Sequence, residues 1–121
     1  MTDAATARRI ARSLPETEDL STDAMLRFRV RGKQFAWTYL ERNAATGPRS
    51  PKLDVLALSC RREEKDAILA SAPDTFFSTP HYDGFPAYLV RLANVDESEL
   101  QALITAAWRC RAPRSLAGRL H

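Results

Sequence analysis

Three arginines and a lysine at two-residue steps, Arg27, Arg29, Arg31 and Lys33, form the densest cationic pattern in the chain. Alternate side chains of an extended strand leave the same face, so the arginines project together and Lys33 reaches out from the turn beyond them. Flexible cations on one ridge suit phosphate, because they neutralise a polyanionic backbone and release its counterions. The same row would also serve as solvated charge or as a guard against edge-to-edge aggregation. Arg91, on the outward side of a later strand, is placed to join it. A second group lies in "STPHYDGFPAYLVRL", residues 78–92. Here His81, Tyr82 and Phe85 offer rings for stacking on a base beside cations. The plainer reading is structural: Pro80 and Pro86 fix backbone angles, Gly84 supplies a turn, and the aromatics anchor the link between two strands.

Other chemistry finds little support in the residue types. His81 is the only internal histidine, and neither Cys60 nor Cys110 lies near it in sequence, so a nucleophile–histidine pair has no local signature. His81 and Asp83 fall short of the three protein ligands a catalytic zinc takes. The glycines at 32, 47, 84 and 118 form no phosphate-binding loop. Glu63, Glu64 and Asp66 stand near a helix start, where carboxylates compensate the helix dipole. The expectation is a protein that is not an enzyme, with no cofactor and no metal.

The chain has 121 residues, 45% hydrophobic and 27% charged, with a formal net charge of +3. That composition suits one soluble globular domain spanning residues 1–121, with a basic tail from about residue 112. The charge is too small for a polybasic, histone-like protein, so its distribution matters more than its sum. Two cysteines without a C-x-x-C spacing read as free thiols in a reducing cytosol. The N-terminus lacks the apolar segment of ~7–15 residues of a signal peptide, and no apolar run nears the ~20 residues of a membrane span. A cytoplasmic protein with no membrane partner is expected.

The elements that must position these residues follow from periodicity. Ala4, Ala7, Ile10, Ala11 and Leu14 recur at helical steps over residues 3–13, and Pro15 ends the run. "LRFRVRGKQFAWTYL", residues 26–40, reads as a β-hairpin turning at Gly32-Lys33 or Arg31-Gly32. Either register places Leu26, Phe28, Val30, Phe35, Trp37 and Tyr39 on one buried face, and the arginines opposite with Gln34, Ala36 and Thr38. Residues 42–51 form a polar loop, Leu53 to Cys60 a third strand and residues 61–73 a helix. Phe76 to Thr79 and Ala87 to Leu92 give two more strands. Asp96, with Glu99 three residues on, caps a last helix that carries Leu100, Leu103, Ile104, Ala107 and Trp108 inward and stops at Pro113. The order α-β-β-β-α-β-β-α predicts a two-layer α+β fold: an antiparallel five-stranded sheet with helices on one face and the other face open to water.

"FFSTPHYDGFPAYLVRL", followed by "VDESELQALITAAWRCRAP", resembles the MmcQ/YjbR family of small bacterial proteins, and "FRVRGKQFAW" is similar to that family's first hairpin. The motif T-P-H-Y-x-G-[YF]-P is specific, and the likeness covers essentially the whole chain. The resemblance implies an antiparallel α+β domain similar to type III secretion chaperones, and a DNA-binding mode through two β-hairpin wings. One wing would be the 26–40 hairpin with Arg27, Arg29, Arg31 and Lys33. The other would be built around Thr79, Pro80, His81, Tyr82, Gly84, Phe85 and Pro86, leading to Arg91. Arg114 stands where the family often has lysine. The loop at 42–51 departs from the family pattern, and a meander sets it at the end of the sheet away from the 31–33 tip. Arg42, Arg49 and Lys52 are therefore not expected among the contacts. The functional expectation is a DNA-binding protein, monomer or homodimer, touching phosphate through Arg27, Arg29, Arg31, Lys33 and Arg91, with His81 and Tyr82 near the groove. The alternative is a chaperone-like module that binds a protein or peptide on the open sheet face. A small-molecule pocket around His81, Tyr82, Tyr88 and Trp108 ranks behind both.

Overall fold

Residues 1–42 and 48–119 are described in the computed structural model, Arg42 by its backbone alone. Helix α1 (Ala4–Arg12) starts at Asp3, whose side chain accepts from the Thr6 amide at 2.9 Å and satisfies an otherwise orphaned helix donor. Its apolar stripe buries Ala7, Ile10 and Ala11. Six strands follow in one antiparallel sheet: β1 (Thr17–Asp19), β2 (Arg27–Val30), β3 (Lys33–Arg42), β4 (Arg49–Ser59), β5 (Phe76–Phe77) and β6 (Ala87–Arg91), in the order β1-β2-β3-β4-β6-β5. Helix α2 (Arg62–Ser71) links β4 to β5, and a 3-10 turn (Leu92–Asn94) leads from β6 to α3 (Glu97–Arg111) and the short α4 (Arg114–Ala117). Asp96 caps α3 by accepting from the Glu99 amide at 2.7 Å, as expected.

The α+β class stands, with six strands in place of the expected five. The additional strand, "TED" at 17–19, is too short and too acidic to show any apolar alternation, and pairing with β2 alone makes it a strand. The third expected strand begins at Arg49 instead of Leu53, and the expected tail contains α4 with Leu116 buried.

The hairpin corrects the expected faces. Val30 pairs with Lys33 across Arg31-Gly32, where both residues have positive φ, 49° and 81°, as a type I′ turn requires. The register then shifts: Arg29 opposes Gln34, but Phe28 opposes Ala36, leaving Phe35 as the extra residue of a β-bulge. One extra residue inverts everything after it. Phe35, Ala36 and Thr38 lie on the helix side with Phe28 and Val30, whereas Trp37 and Tyr39 join the second face with Arg27. Thr38, 1% exposed, is satisfied because its hydroxyl accepts from the Leu26 amide at 2.8 Å.

The helix side carries the main core, in which Phe28, Phe35, Leu56, Leu58 and Val90 meet Ile10, Leu100, Ile104 and Trp108. Each such side chain removed from water contributes ~1.5–3 kcal/mol. Trp108 also donates from its indole nitrogen to the Pro15 carbonyl at 3.1 Å, tying α3 to the end of α1. The second face is not left to water. Val55, Ala57, Tyr82, Ala87 and Leu89 form a separate cluster there, with Trp37, Tyr39 and Phe77 packed against it. The cover is supplied by residues 78–86.

Candidate nucleic-acid interface

Residues 78–86 fold back over the second face because α2 holds them. Lys65, 7% exposed, points its ammonium at the Tyr82 and Phe85 carbonyls, the latter 2.9 Å away. Arg62 donates to the Gly84 carbonyl at 2.7 Å. The loop's own amides close turns, Tyr82 N–H to Thr79 and Phe85 N–H to Tyr82. The Tyr82 ring therefore drops into the second cluster, 8% exposed, and its hydroxyl accepts from the Trp37 indole at 3.0 Å. Tyr39 and Phe85 each stand 6.1 Å from the Tyr82 ring, and His81 stands edge-on at 5.2 Å. With Tyr82 pinned, its neighbour His81 is turned to solvent, and Phe85 stays 48% exposed.

Beside this loop lies a cleft of about 400 Å³, walled by Arg27, Gln34, Trp37, Arg49 and His81. Arg27 and Arg49 belong to no ion pair among the described residues. The cleft thus joins two uncompensated guanidinium groups with two accessible rings.

The expected contact residues separate into groups. Arg27 and His81 share the cleft. Arg29 instead faces Glu18 at 3.2 Å, and its Nε is buried without a hydrogen-bond partner. Arg31 grips Glu16 with two bonds of 2.6 and 2.9 Å, and Arg119 approaches the same carboxylate at 3.4 Å. The hydrogen bonds from Arg31 hold the Glu16 carboxyl below its usual range, against the opposing effect of burial. Such exposed pairs are energetically weak, but each cancels a charge in the row. Lys33 is exposed at the turn. Arg91 lies on the second face with its guanidinium carbon 4.2 Å from the Phe77 ring centre, a cation–π contact. Tyr82 lines the same cleft but is only 8% exposed, with its hydroxyl held by the Trp37 indole, so it positions the loop more than it offers a ring for stacking.

Arg49, not expected among the contacts, lines the same cleft as Arg27. Arg27 opposes Trp37, well along β3 from the turn, and so lies toward the Arg42–Arg49 end of the sheet. The charged end of β2 and the start of β4 are neighbours, and the 31–33 tip is the remote part. Lys52 pairs with Asp54 at 3.5 Å and is occupied. The side chain of Arg42 lies outside the described residues. The sequence signal that Lys65 turns inward is the helix face it shares with Ile68 and Leu69, three and four residues on.

Tyr88 and Trp108 do not join His81 and Tyr82 in a pocket, since both belong to the helix-side core. Cys60 and Cys110 are free thiols, and among the described residues no three metal-ligating side chains gather. No helix among those residues is long and apolar enough to cross a membrane.

Comparison with known proteins agrees with this fold. The family model described as YjbR matches residues 12–110. The uncharacterized protein Rv2570 of Mycobacterium tuberculosis is 38% identical over 115 residues, which cover 89% of this chain and 87% of that one. The uncharacterized protein Mb2600 of Mycobacterium bovis matches to the same extent. Among solved structures, Deinococcus radiodurans protein DR2400, with the family-model domain DUF419, superposes with a TM-score of 0.67 at 17% identity, covering 99% of this chain and 88% of that one.

Proposed function

The chain belongs to the YjbR family, and we propose that its second sheet face is a DNA-binding surface centred on the Arg27–Arg49 cleft. The supporting observation is the cleft itself, which Arg27 and Arg49, without carboxylate partners among the described residues, line together with Trp37 and His81. Guanidinium groups hold phosphate in a bidentate fork, and the rings between them suit an unstacked base. Arg91 lies on the same face, Lys33 at the remote tip lies apart from it, and Arg29 and Arg31 contribute little because Glu18 and Glu16 hold them. In this reading the loop at 78–86 is the second wing, and the protein is a non-enzymatic, cytoplasmic binder. A chaperone-like role would need a contiguous apolar patch. Among the described residues, the large exposed apolar side chains Met1, Leu20, Leu53 and Phe85 come from different segments of the chain.

The test is fluorescence anisotropy with labelled single-stranded and duplex oligonucleotides over a range of salt. Arg27→Ala with Arg49→Ala should weaken binding and make the slope of log affinity on log salt shallower by roughly 1.5 to 2. Arg29→Ala with Arg31→Ala should change it much less. No binding by the wild type at low salt, or an unaltered slope in a folded Arg27/Arg49 double variant, overturns the reading.

A further inference from the structure

On the helix side of the sheet, arginines gather that the DNA surface does not use. Two adjoining cavities, of about 270 and 410 Å³, share Arg61, Arg109 and Cys110 as a common wall. The smaller has an apolar floor of Ile68, Tyr88 and Leu103 and one carboxylate, Glu64. The larger adds Arg114. Among the described residues, Arg61 and Arg114 therefore line these cavities beside Arg109 and one carboxylate, Glu64.

Most other arginines of the helix layer and the β1 edge are matched. Arg8 and Arg12 meet Asp19, Arg9 meets Glu97, and Arg29, Arg31 and Arg119 meet Glu18 and Glu16. Arg61 and Arg114 have no ion pair among the described residues. Arg109 lies in the last turn of α3, where a cation complements the helix dipole. That account fails for Arg61, which holds the N-cap position of α2 without a capping side-chain bond. There the dipole favours an anion, and a cation is the wrong residue for the helix alone. A local rule broken beside an arginine-lined cavity is the mark of a site.

We propose that the cleft between α2, α3 and α4 binds a small amphiphilic anion. An aromatic or short aliphatic body rests on Ile68, Tyr88 and Leu103, and its phosphate or carboxylate head is held by Arg61, Arg109 and Arg114. The smaller cavity exceeds the roughly 150 Å³ that accommodates benzene in an apolar interior, so the body fits. Planar guanidinium forks match either head group. No residue of this cleft lines the Arg27–Arg49 cleft, so the two sites are separable by mutation.

The experiment is calorimetric titration of the full chain with phenyl phosphate and benzoate, using inorganic phosphate and phenol as controls for head and body. At least one of the two amphiphilic anions should bind at one site, tenfold or more tighter than inorganic phosphate, with no heat from phenol. Arg61→Gln with Arg114→Gln should weaken it tenfold or more, and Arg27→Ala with Arg49→Ala should leave it unchanged. Binding of neither anion, parity with inorganic phosphate, or loss on mutating Arg27 and Arg49 instead overturns the site. Should the Arg61/Arg114 variant not fold, alkylation of wild-type Cys110 by iodoacetamide, followed by mass spectrometry, decides. Ligand must slow that reaction, and an unchanged rate counts against the proposal.

Discussion

A single lysine explains why the most distinctive motif of the chain looks as it does. Lys65 is buried and presents its ammonium to two carbonyls of the loop it supports. A buried cation persists only when it is well satisfied, and buried carbonyls that lose their donor carry the full desolvation cost. Lys65→Met keeps the apolar stem and removes the donors. It should cost about 1–3 kcal/mol in a urea-unfolding experiment, and hydrogen exchange should accelerate at the Tyr82 and Phe85 amides. A variant with wild-type stability and protection would show that the loop holds itself. The motif's spacing pointed correctly to a difficult turn. It did not separate the inward Tyr82 from the outward His81, because both are aromatic and adjacent, and the choice is made by Lys65 of α2, seventeen residues before Tyr82.

At the scale of elements, one bulge redistributes an entire strand. A period of two read through residues 26–40 makes Phe35, Trp37 and Tyr39 equivalent, yet the extra residue at Phe35 sends it to the helix side and the other two to the second face. Nothing in an apolar–polar alternation marks a bulge, since Phe35 and Ala36 are both suited to burial. The helices were easier to read, because Asp96 and the Leu100–Ile104–Trp108 stripe act locally. The consequence is optical. Trp108 is fully buried, while Trp37 lines the Arg27–Arg49 cleft and is half-buried. Acrylamide should quench two distinct tryptophan populations, and Trp37→Phe should leave only the protected, blue-shifted one. A single protected population in the wild type would place Trp37 in the helix-side core and remove the bulge.

Across the whole molecule, the net charge of +3 conceals a sorting of charge by place. The acids of the α1–β1 region, Glu16, Glu18 and Asp19, take up the arginines around them, whereas Arg27 and Arg49 at one cleft and Arg61 and Arg114 at the other belong to no ion pair among the described residues. The sequence showed the sum and the row but not this division, because β1 becomes a strand only by pairing with β2. The same sorting sets the response to pH. Burial acts to raise the Asp19 carboxyl, but hydrogen bonds from the Ser21 hydroxyl and amide and from Arg8 outweigh it, leaving it below its usual value of 3.8. Glu16 and the helix cap Asp3 are lowered as well. A carboxylate lowered on folding stabilises the native state above its unfolded value and loses that contribution as pH falls through the folded one. At the alkaline end, burial raises the Cys60 thiol above its usual 9.0 and the Tyr88 hydroxyl above its usual 10.0. The unfolded chain then releases protons that the native state retains, so stability declines as pH climbs past about 9. Urea midpoints measured between pH 3 and 11 should therefore form a plateau over roughly pH 5 to 8.5 with a fall on each side. Asp19→Asn should flatten the acid fall, and Cys60→Ala should delay the alkaline one. If Asp19→Asn lowers the plateau while the acid slope keeps its wild-type steepness, Asp19 acts through its hydrogen bonds alone and the acid response originates elsewhere.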